Sequence, residues 1–306
     1  MEGKIIRAFG RYYTVSGGGA EMNGVLRGKI KSDPRLRSFS EPAAVGDDVD
    51  YTVDAEGLAV IENVHERRNV FTRKDRSSSK EDLIAANIDQ LFVVQAFREP
   101  KFNLRFADRL IVRAEKEGLP AVLCINKADL SLPEDIEYIQ SYYKSSSVKF
   151  ESVSAASGYG LAKLLELCAG KTTLFAGYSG VGKSSILNKL FPGIELKTSE
   201  VSESTGKGRH TTTNVRLITV GENTSVIDTP GMREFGLLDI QPENLSGYFS
   251  DMREYDGFCR FAGCTHDHEP GCRVKEAVES GEIHFGRYES YINILYSIKE
   301  YYANMY

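Results

Sequence analysis

The sequence predicts a multidomain chain: an N-terminal β-barrel over residues 1–70, a central α/β domain over 71–240, and a C-terminal, mainly helical domain over 241–306. Three observations predict it. Short apolar stretches cut by Gly-rich turns fill the first part, as in small barrels. Strand-like and helix-like stretches then alternate, as in βαβ units under a mostly parallel sheet. In the last part, Cys259, Cys264, His266 and Cys272 crowd together ahead of helical sequence.

Composition bounds the reading before any motif does. A chain of 306 residues is long enough for two or three domains, each with its own core. Hydrophobic residues make up 41% and charged residues 26%, ordinary for a globular protein. No apolar run approaches a membrane span, and Met1-Glu2-Gly3-Lys4 lacks the apolar core of a signal peptide. A cytoplasmic chain with no membrane contact is expected. The net charge of −5 excludes a molecule that is basic overall, so any RNA contact must come from local patches.

In the barrel, Lys4 to Val15 ends at Ser16-Gly17-Gly18-Gly19, and Glu21 to Lys31 ends at Ser32-Asp33-Pro34. Asp48 to Val53 and Leu58 to Val70 follow, parted by Asp54-Ala55-Glu56-Gly57. Two basic clusters decorate these strands. One is Arg27, Lys29, Lys31, Arg35 and Arg37; the other is Arg67, Arg68, Arg73, Lys74, Arg76 and Lys80. Such clusters suit a solvated face or an RNA surface, and the contrast with an acidic whole favours RNA.

The central domain reads as strands at Ile88 to Val94, Ala121 to Ile125, Val148 to Val153, Thr172 to Ala176, Val215 to Val220 and Thr224 to Ile227. Helices are expected at Asn103 to Glu117, Glu134 to Tyr143 and Leu161 to Cys168. A phosphate loop, Gly177-Tyr178-Ser179-Gly180-Val181-Gly182-Lys183-Ser184, follows one strand and opens a helix at Ser185. Its glycines let backbone N–H groups curl around phosphate oxygens, and the helix N-terminus adds its positive dipole end. Lys183 would reach the β- and γ-phosphates, and Ser184 would ligate Mg²⁺.

Asp228-Thr229-Pro230-Gly231 closes another strand. The acid can hold Mg²⁺, and Gly231 lets a backbone N–H approach the γ-phosphate. Asn126-Lys127-Ala128-Asp129 decides the base. An Asp carboxylate accepts from both N1–H and the 2-amino group of guanine, a donor pair that adenine lacks. Small residues at Ser154-Ala155-Ala156, after the next strand, let the backbone approach the base carbonyl.

The polar stretch from Leu196 to Thr213 occupies the place of a switch loop. Thr212, taken over Thr211, would complete the Mg²⁺ shell. Met232 follows Gly231 and cannot orient water, so His210 is the candidate for that task. These motifs belong to a GTPase, but their order is rotated: the base-reading loops come first and the phosphate loop third. The last switch motif therefore lies directly ahead of the C-terminal domain, and nucleotide state is expected to bias that domain's position.

The C-terminal cluster offers three thiols and an imidazole, a set suited to closed tetrahedral Zn²⁺. His268 competes with His266 as the fourth ligand. Cys124 and Cys168, in apolar stretches, read as buried hydrophobes. Tyr288, Tyr291, Ile292, Leu295, Ile298 and Tyr302 form an aromatic and aliphatic stripe at helical spacing, which reads as packing.

Taken together, these motifs resemble those of the ribosome small-subunit-dependent GTPase A family, circularly permuted GTPases, over essentially the whole chain. The resemblance rests on the rotated order, Gly208-Arg209-His210-Thr211-Thr212-Thr213, Asp228-Thr229-Pro230-Gly231 with an apolar residue after it, and the Cys/Cys/His/Cys cluster. It implies that the barrel is of oligonucleotide-binding type and that the chain is a late assembly factor of the small ribosomal subunit, acting as a monomer. GTP hydrolysis would be stimulated by that subunit and coupled to release, with rRNA contacted through the barrel and zinc domains. The other readings are an RNA-binding placeholder that keeps nucleotide as a structural ligand, and a GTPase acting on a different ribosomal particle.

Overall fold

The computed structural model describes residues 1–74, 80–196, 215–232 and 235–304. The stretch expected as one strand from Lys4 to Val15 is a hairpin, β1 (Glu2–Phe9) and β2 (Tyr12–Gly17). Gly10, at φ +57°, makes the turn that a residue with a Cβ adopts only under strain. β3 (Ala20–Leu26), β4 (Asp48–Val53) and β5 (Ala59–Val64) complete five strands. β1 pairs with β4 as well as β2, which closes the barrel around Ile5, Val15, Val49, Tyr51 and Ile61.

A second hairpin, β6 (Val70–Arg73) and β7 (Asp82–Ala86), follows the barrel. The hairpin has no local mark in the sequence, where one apolar stretch runs from Leu58 to Val70 and basic residues follow. The hairpin is a strut. Val45 of the barrel bridges to Ala85, Lys74 bridges to Leu237, and the Phe71 ring lies 5.6 Å from that of Phe235.

The central strands are β8 (Gln90–Ala96), β9 (Ala121–Asn126), β10 (Lys149–Ser152), β11 (Thr172–Gly177), β12 (Arg216–Gly221) and β13 (Thr224–Asp228). Their order is β10-β9-β8-β11-β13-β12, all parallel except β12. β8 is buried along its whole length, as a parallel strand covered on both faces must be. On one face α3 (Leu161–Cys168) and α4 (Lys183–Leu190) enclose Phe92, Val94 and Phe175. On the other, α1 (Leu104–Lys116) packs on Leu91, Val93 and Leu174. The side chain of Asn103 accepts from the Phe106 N–H at 3.0 Å and caps α1. Pro133 opens α2 (Pro133–Tyr143).

The barrel and the central sheet are joined. β12 pairs antiparallel with β1 through Arg7 and Arg216, so eleven strands form one continuous sheet.

The C-terminal part carries α5 (Ser250–Arg253), α6 (Arg273–Glu279) and α7 (Phe285–Ala303). Tyr291, Leu295 and Ile298 of the expected stripe are buried in the same core as α1. Buried charges add to that packing. Arg287 of α7 donates to Asp108 of α1 and, at 3.0 Å, to Asp251 of α5. Tyr142 and Tyr143 of α2 donate to the same Asp108 at 2.6 and 2.8 Å. Arg113 and Lys116 of α1 both pair with Asp239. The C-terminal helices are thus fixed to α1 and α2, beyond the chain that leads into them.

Candidate functional site

The phosphate loop joins β11 to α4 at the C-terminal edge of the parallel strands, where open α/β sheets hold ligands. Two of its glycines are required by close packing. A Cβ on Gly177 would sit 2.2 Å from the Val94 carbonyl oxygen, and one on Gly182 would sit 2.2 Å from the Asn126 amide nitrogen. Tyr178 packs its ring 4.0 Å from that of Phe106 on α1. Ser179 is exposed, Gly180 and Ser184 are half-buried, and Val181 is fully buried. Lys183 donates to the carbonyls of Gly177 and Tyr178, both at 2.9 Å.

Asp228 ends β13, paired in register with Phe175 of β11, which places it beside the loop. Burial pushes its carboxyl up to about 6, against the pull of Lys183. Burial likewise pushes Lys183 down to about 8, and Asp228 counters it. Oδ1 of Asp228 is buried with no hydrogen-bond partner among the described residues. A buried carboxylate oxygen without a donor fits a cation site. Gly231 lies directly on the phosphate loop, where a Cβ would come 2.4 Å from the Ser179 nitrogen. Met232 is buried and its N–H donates to the Gly177 carbonyl at 3.1 Å, so its side chain faces the core.

The base-reading loops converge on the same place. Asn126 is 2% exposed; its amide donates to the Val181 carbonyl at 2.9 Å and accepts from the Ala155 N–H at 3.0 Å. One side chain therefore ties the Asn126–Asp129 loop, the Ser154–Ala156 loop and the phosphate loop together. Asn126, expected among the base contacts, also holds these three loops in register. Lys127 adopts φ +61° and donates to the Glu99 carbonyl. Ala128 N–H donates to the Val153 carbonyl at 2.9 Å. Asp129 is exposed, and one of its oxygens accepts from the Ser154 hydroxyl. Ala156 is exposed at the rim, and Ser185 is half-buried on α4. His210, Thr211 and Thr212 lie outside the described residues.

Cys259, Cys264, His266 and Cys272 offer ligand atoms that all lie within 4.8 Å of one another. Nδ1 of His266 is 3.6 Å from Cys259 Sγ and 3.3 Å from Cys272 Sγ, and the two sulfurs are 3.9 Å apart. A tetrahedron with Zn–S of about 2.3 Å and Zn–N of about 2.0 Å has edges of roughly 3.5–3.8 Å, which these separations match. Nε2 of His266 faces Asp256 at 3.5 Å, the carboxylate position that orients ligating imidazoles. Asp256 was not singled out from sequence, although an acid just ahead of a Cys/His cluster is a usable signal. His268 points to solvent, its side chain 79% exposed, and does not join the cluster. The tyrosine stripe supports the loop: Tyr288 and Tyr291 donate to the carbonyls of His266 and Thr265, each at 2.7 Å. Cys124 and Cys168 are both buried, and burial raises both thiols.

Comparison with known proteins agrees with this arrangement. The RsgA GTPase family profile matches residues 64–238. A small ribosomal subunit biogenesis GTPase RsgA from Flavobacterium johnsoniae is 37% identical, covering 99% of this chain and 95% of that protein. A protein of the same name from Chlorobaculum parvum is 40% identical, covering 98% and 99%. Among solved structures, YjeQ from Thermotoga maritima superposes with a TM-score of 0.73 at 34% identity, covering 97% of this chain and 98% of that one. YloQ, a circularly permuted GTPase, gives 0.70 at 29%, covering 98% and 95%. No helix among the described residues is long and apolar enough to cross a membrane. With the rotated motifs gathered at one sheet edge, a barrel ahead of them and a Cys/His cluster behind, the chain belongs to the RsgA GTPase family.

Proposed function

We propose that this chain hydrolyses GTP to GDP and phosphate as a late assembly factor of the small ribosomal subunit, and leaves that subunit on hydrolysis. The observation that carries the reading is the Asn126 bridge, which makes the base-reading and phosphate loops one unit. The free acceptor of Asp129 selects guanine, and residues 126–129, 154–156, 177–185 and Gly231 line the nucleotide. Lys183 exchanges its loop carbonyls for the β- and γ-phosphates. Ser184, Asp228 and Thr212 hold Mg²⁺, and the unpaired oxygen of Asp228 supports that assignment. When bound, the cation neutralises charge on the phosphates. His210 orients the attacking water.

Zn²⁺ on Cys259, Cys264, His266 and Cys272 is structural, since four protein ligands leave no open position. The relatives' names support the small subunit as partner. In this reading the chain is a cytoplasmic monomer of three domains, 1–70, 71–240 and 241–306, and contacts rRNA through the first and last. The test is GTP turnover with and without purified small subunits. Stimulation by small subunits alone is expected. Equal turnover in both, or equal stimulation by large subunits, overturns the reading. Single-turnover hydrolysis by His210→Ala, with GTP binding intact, isolates that residue's part. Metal analysis of purified protein checks zinc.

A further inference from the structure

At the joint between barrel and central sheet, one row of directly paired residues crosses the strands. It runs from Asn23 on β3 through Thr14 on β2 and Arg7 on β1 to Arg216 on β12. Directly paired residues project from the same face of a sheet. A cleft of ≈ 430 Å³ lies over this row, lined by Arg7, Phe9, Tyr12, Thr14, Asn23 and Arg216 among others. That volume falls within the range of small-ligand sites, roughly 300–1,000 Å³.

Three features mark the cleft as made for an anionic, flat ligand. Like charges face each other across it: Arg7 is directly opposite Arg216, an arrangement that destabilises a strand pair unless something neutralises it. Neither arginine has an ion pair or side-chain hydrogen bond among the described residues; Glu21 acts on Arg216 only at a distance. Second, Nε of Arg216 is buried without a hydrogen-bond partner. Third, Phe9 and Tyr12 stand opposite each other at the hairpin tip, 55% and 67% exposed. They share the face of Arg7 and Thr14, two residues along each strand. A register shift between Ile5 and Arg7 buries both Ile5 and Ile6 and turns Arg7 out into the cleft.

Guanidinium forks suit phosphate oxygens, and exposed rings suit the π-face of a base. A bare anion would need no rings, and an apolar ligand no arginines. We propose that this seam binds one nucleotide of a single-stranded RNA, with its phosphate between Arg7 and Arg216 and its base against Phe9 and Tyr12. The inference rests on the rRNA contact proposed above and assigns it to these residues. The same phosphate-and-base chemistry belongs to a free mononucleotide, so the experiment separates the two.

The full chain, loaded with GDP, is titrated against fluorescein-labelled hexauridylate by anisotropy, with UMP as competitor. Phe9→Ala with Tyr12→Ala removes only exposed rings, and is expected to weaken hexauridylate binding about tenfold or more. Arg7→Gln is expected to weaken it and to lower the salt slope by about one. GDP affinity stays unchanged in both variants and neither melts lower than wild type, which confirms that they fold; Arg7→Gln, relieved of the facing Arg216, melts slightly higher. Hexauridylate affinity and salt slope equal to wild type in both variants, or no hexauridylate binding by wild type, overturn the site. UMP competing as well as unlabelled hexauridylate overturns RNA in favour of a free nucleotide. Small-subunit stimulation of GTP turnover is read separately on wild type: its persistence without hexauridylate binding sinks the seam alone, and its absence sinks the proposed function.

Discussion

Asn126 and Asp129 divide a task that the sequence presents as one motif. Asn126 is buried and gives one N–H and one lone pair of its amide to the neighbouring loops; Asp129 is exposed and keeps an acceptor free. Selectivity should therefore follow Asp129. Asp129→Asn trades an acceptor for a donor, which opposes the 2-amino group of guanine and suits the 2-carbonyl of xanthine. Competition between GTP and XTP is expected to swing toward XTP by on the order of 10⁴-fold, the usual penalty for an unmatched buried polar group. Continued preference for GTP would remove Asp129 from base recognition. The residue types at this site could be read from the chain because glycines, an invariant charge logic and strand ends leave local marks. The partners of Asn126 could not, since Val181 and Ala155 reach it only after the sheet has formed.

Among elements, the buried charges carry the information that periodicity hides. Asp108 lies mid-helix in α1, and nothing nearby in sequence says that Arg287 and two tyrosines will converge on it. Arg287 also stacks 4.4 Å from the centre of the Phe249 ring. Asp108→Asn takes one of two carboxylates from Arg287 and leaves Asp251 in place, so it is expected to cost about 1.5–3 kcal/mol in urea unfolding. A loss below about 1 kcal/mol would show that the cluster does not hold α1 to α7.

Asp239 makes a second, pH-dependent joint. Burial alone would raise its carboxyl, but Arg113 and Lys116 hold it down to about 2. The folded value lies below the unfolded one, so the contribution is present above about pH 4 and is lost as pH falls toward about 2. Acid unfolding of Asp239→Asn should lack that part of the slope, and an unchanged curve would contradict it. Helices α1, α2 and α3 were readable to within a residue; Asn103, expected as the first residue of α1, is its cap. The β6–β7 hairpin was not, because its pairing depends on contacts with Val45 and Leu237, far away in the chain.

At the scale of the molecule, the rotated motif order suggested a C-terminal domain hung on the last switch and free to report its state. The structure adds ties that this picture lacks. α7 shares a core with α1, Arg287 bridges to Asp108, and Arg109 donates to Ser297 at 2.9 Å. The C-terminal helices should then move with α1 and α2 as one body. Amide exchange in α7 and the radius of gyration from solution scattering are expected to be the same with GDP and with a GTP analogue. Asp108→Asn should loosen both. A nucleotide-dependent change in wild type would show that the ties yield. Connectivity was readable from motif order, but attachment was not, because it is made by side chains brought together from distant stretches.

One more consequence follows from the position of β1, which closes the barrel against β4 and also covers the outer edge of β12. During synthesis Arg7 emerges about two hundred residues before Arg216. At ordinary translation rates that interval is roughly 10–40 seconds. Through that time a completed barrel presents an unpaired strand margin, and the nascent central sheet later presents its own. Each is a template for pairing with the wrong chain, and their union at Arg7 and Arg216 shortens both. The joint between the barrel and the central sheet thus guards two aggregation-prone borders with one strand, and it cannot form before Arg216 has emerged.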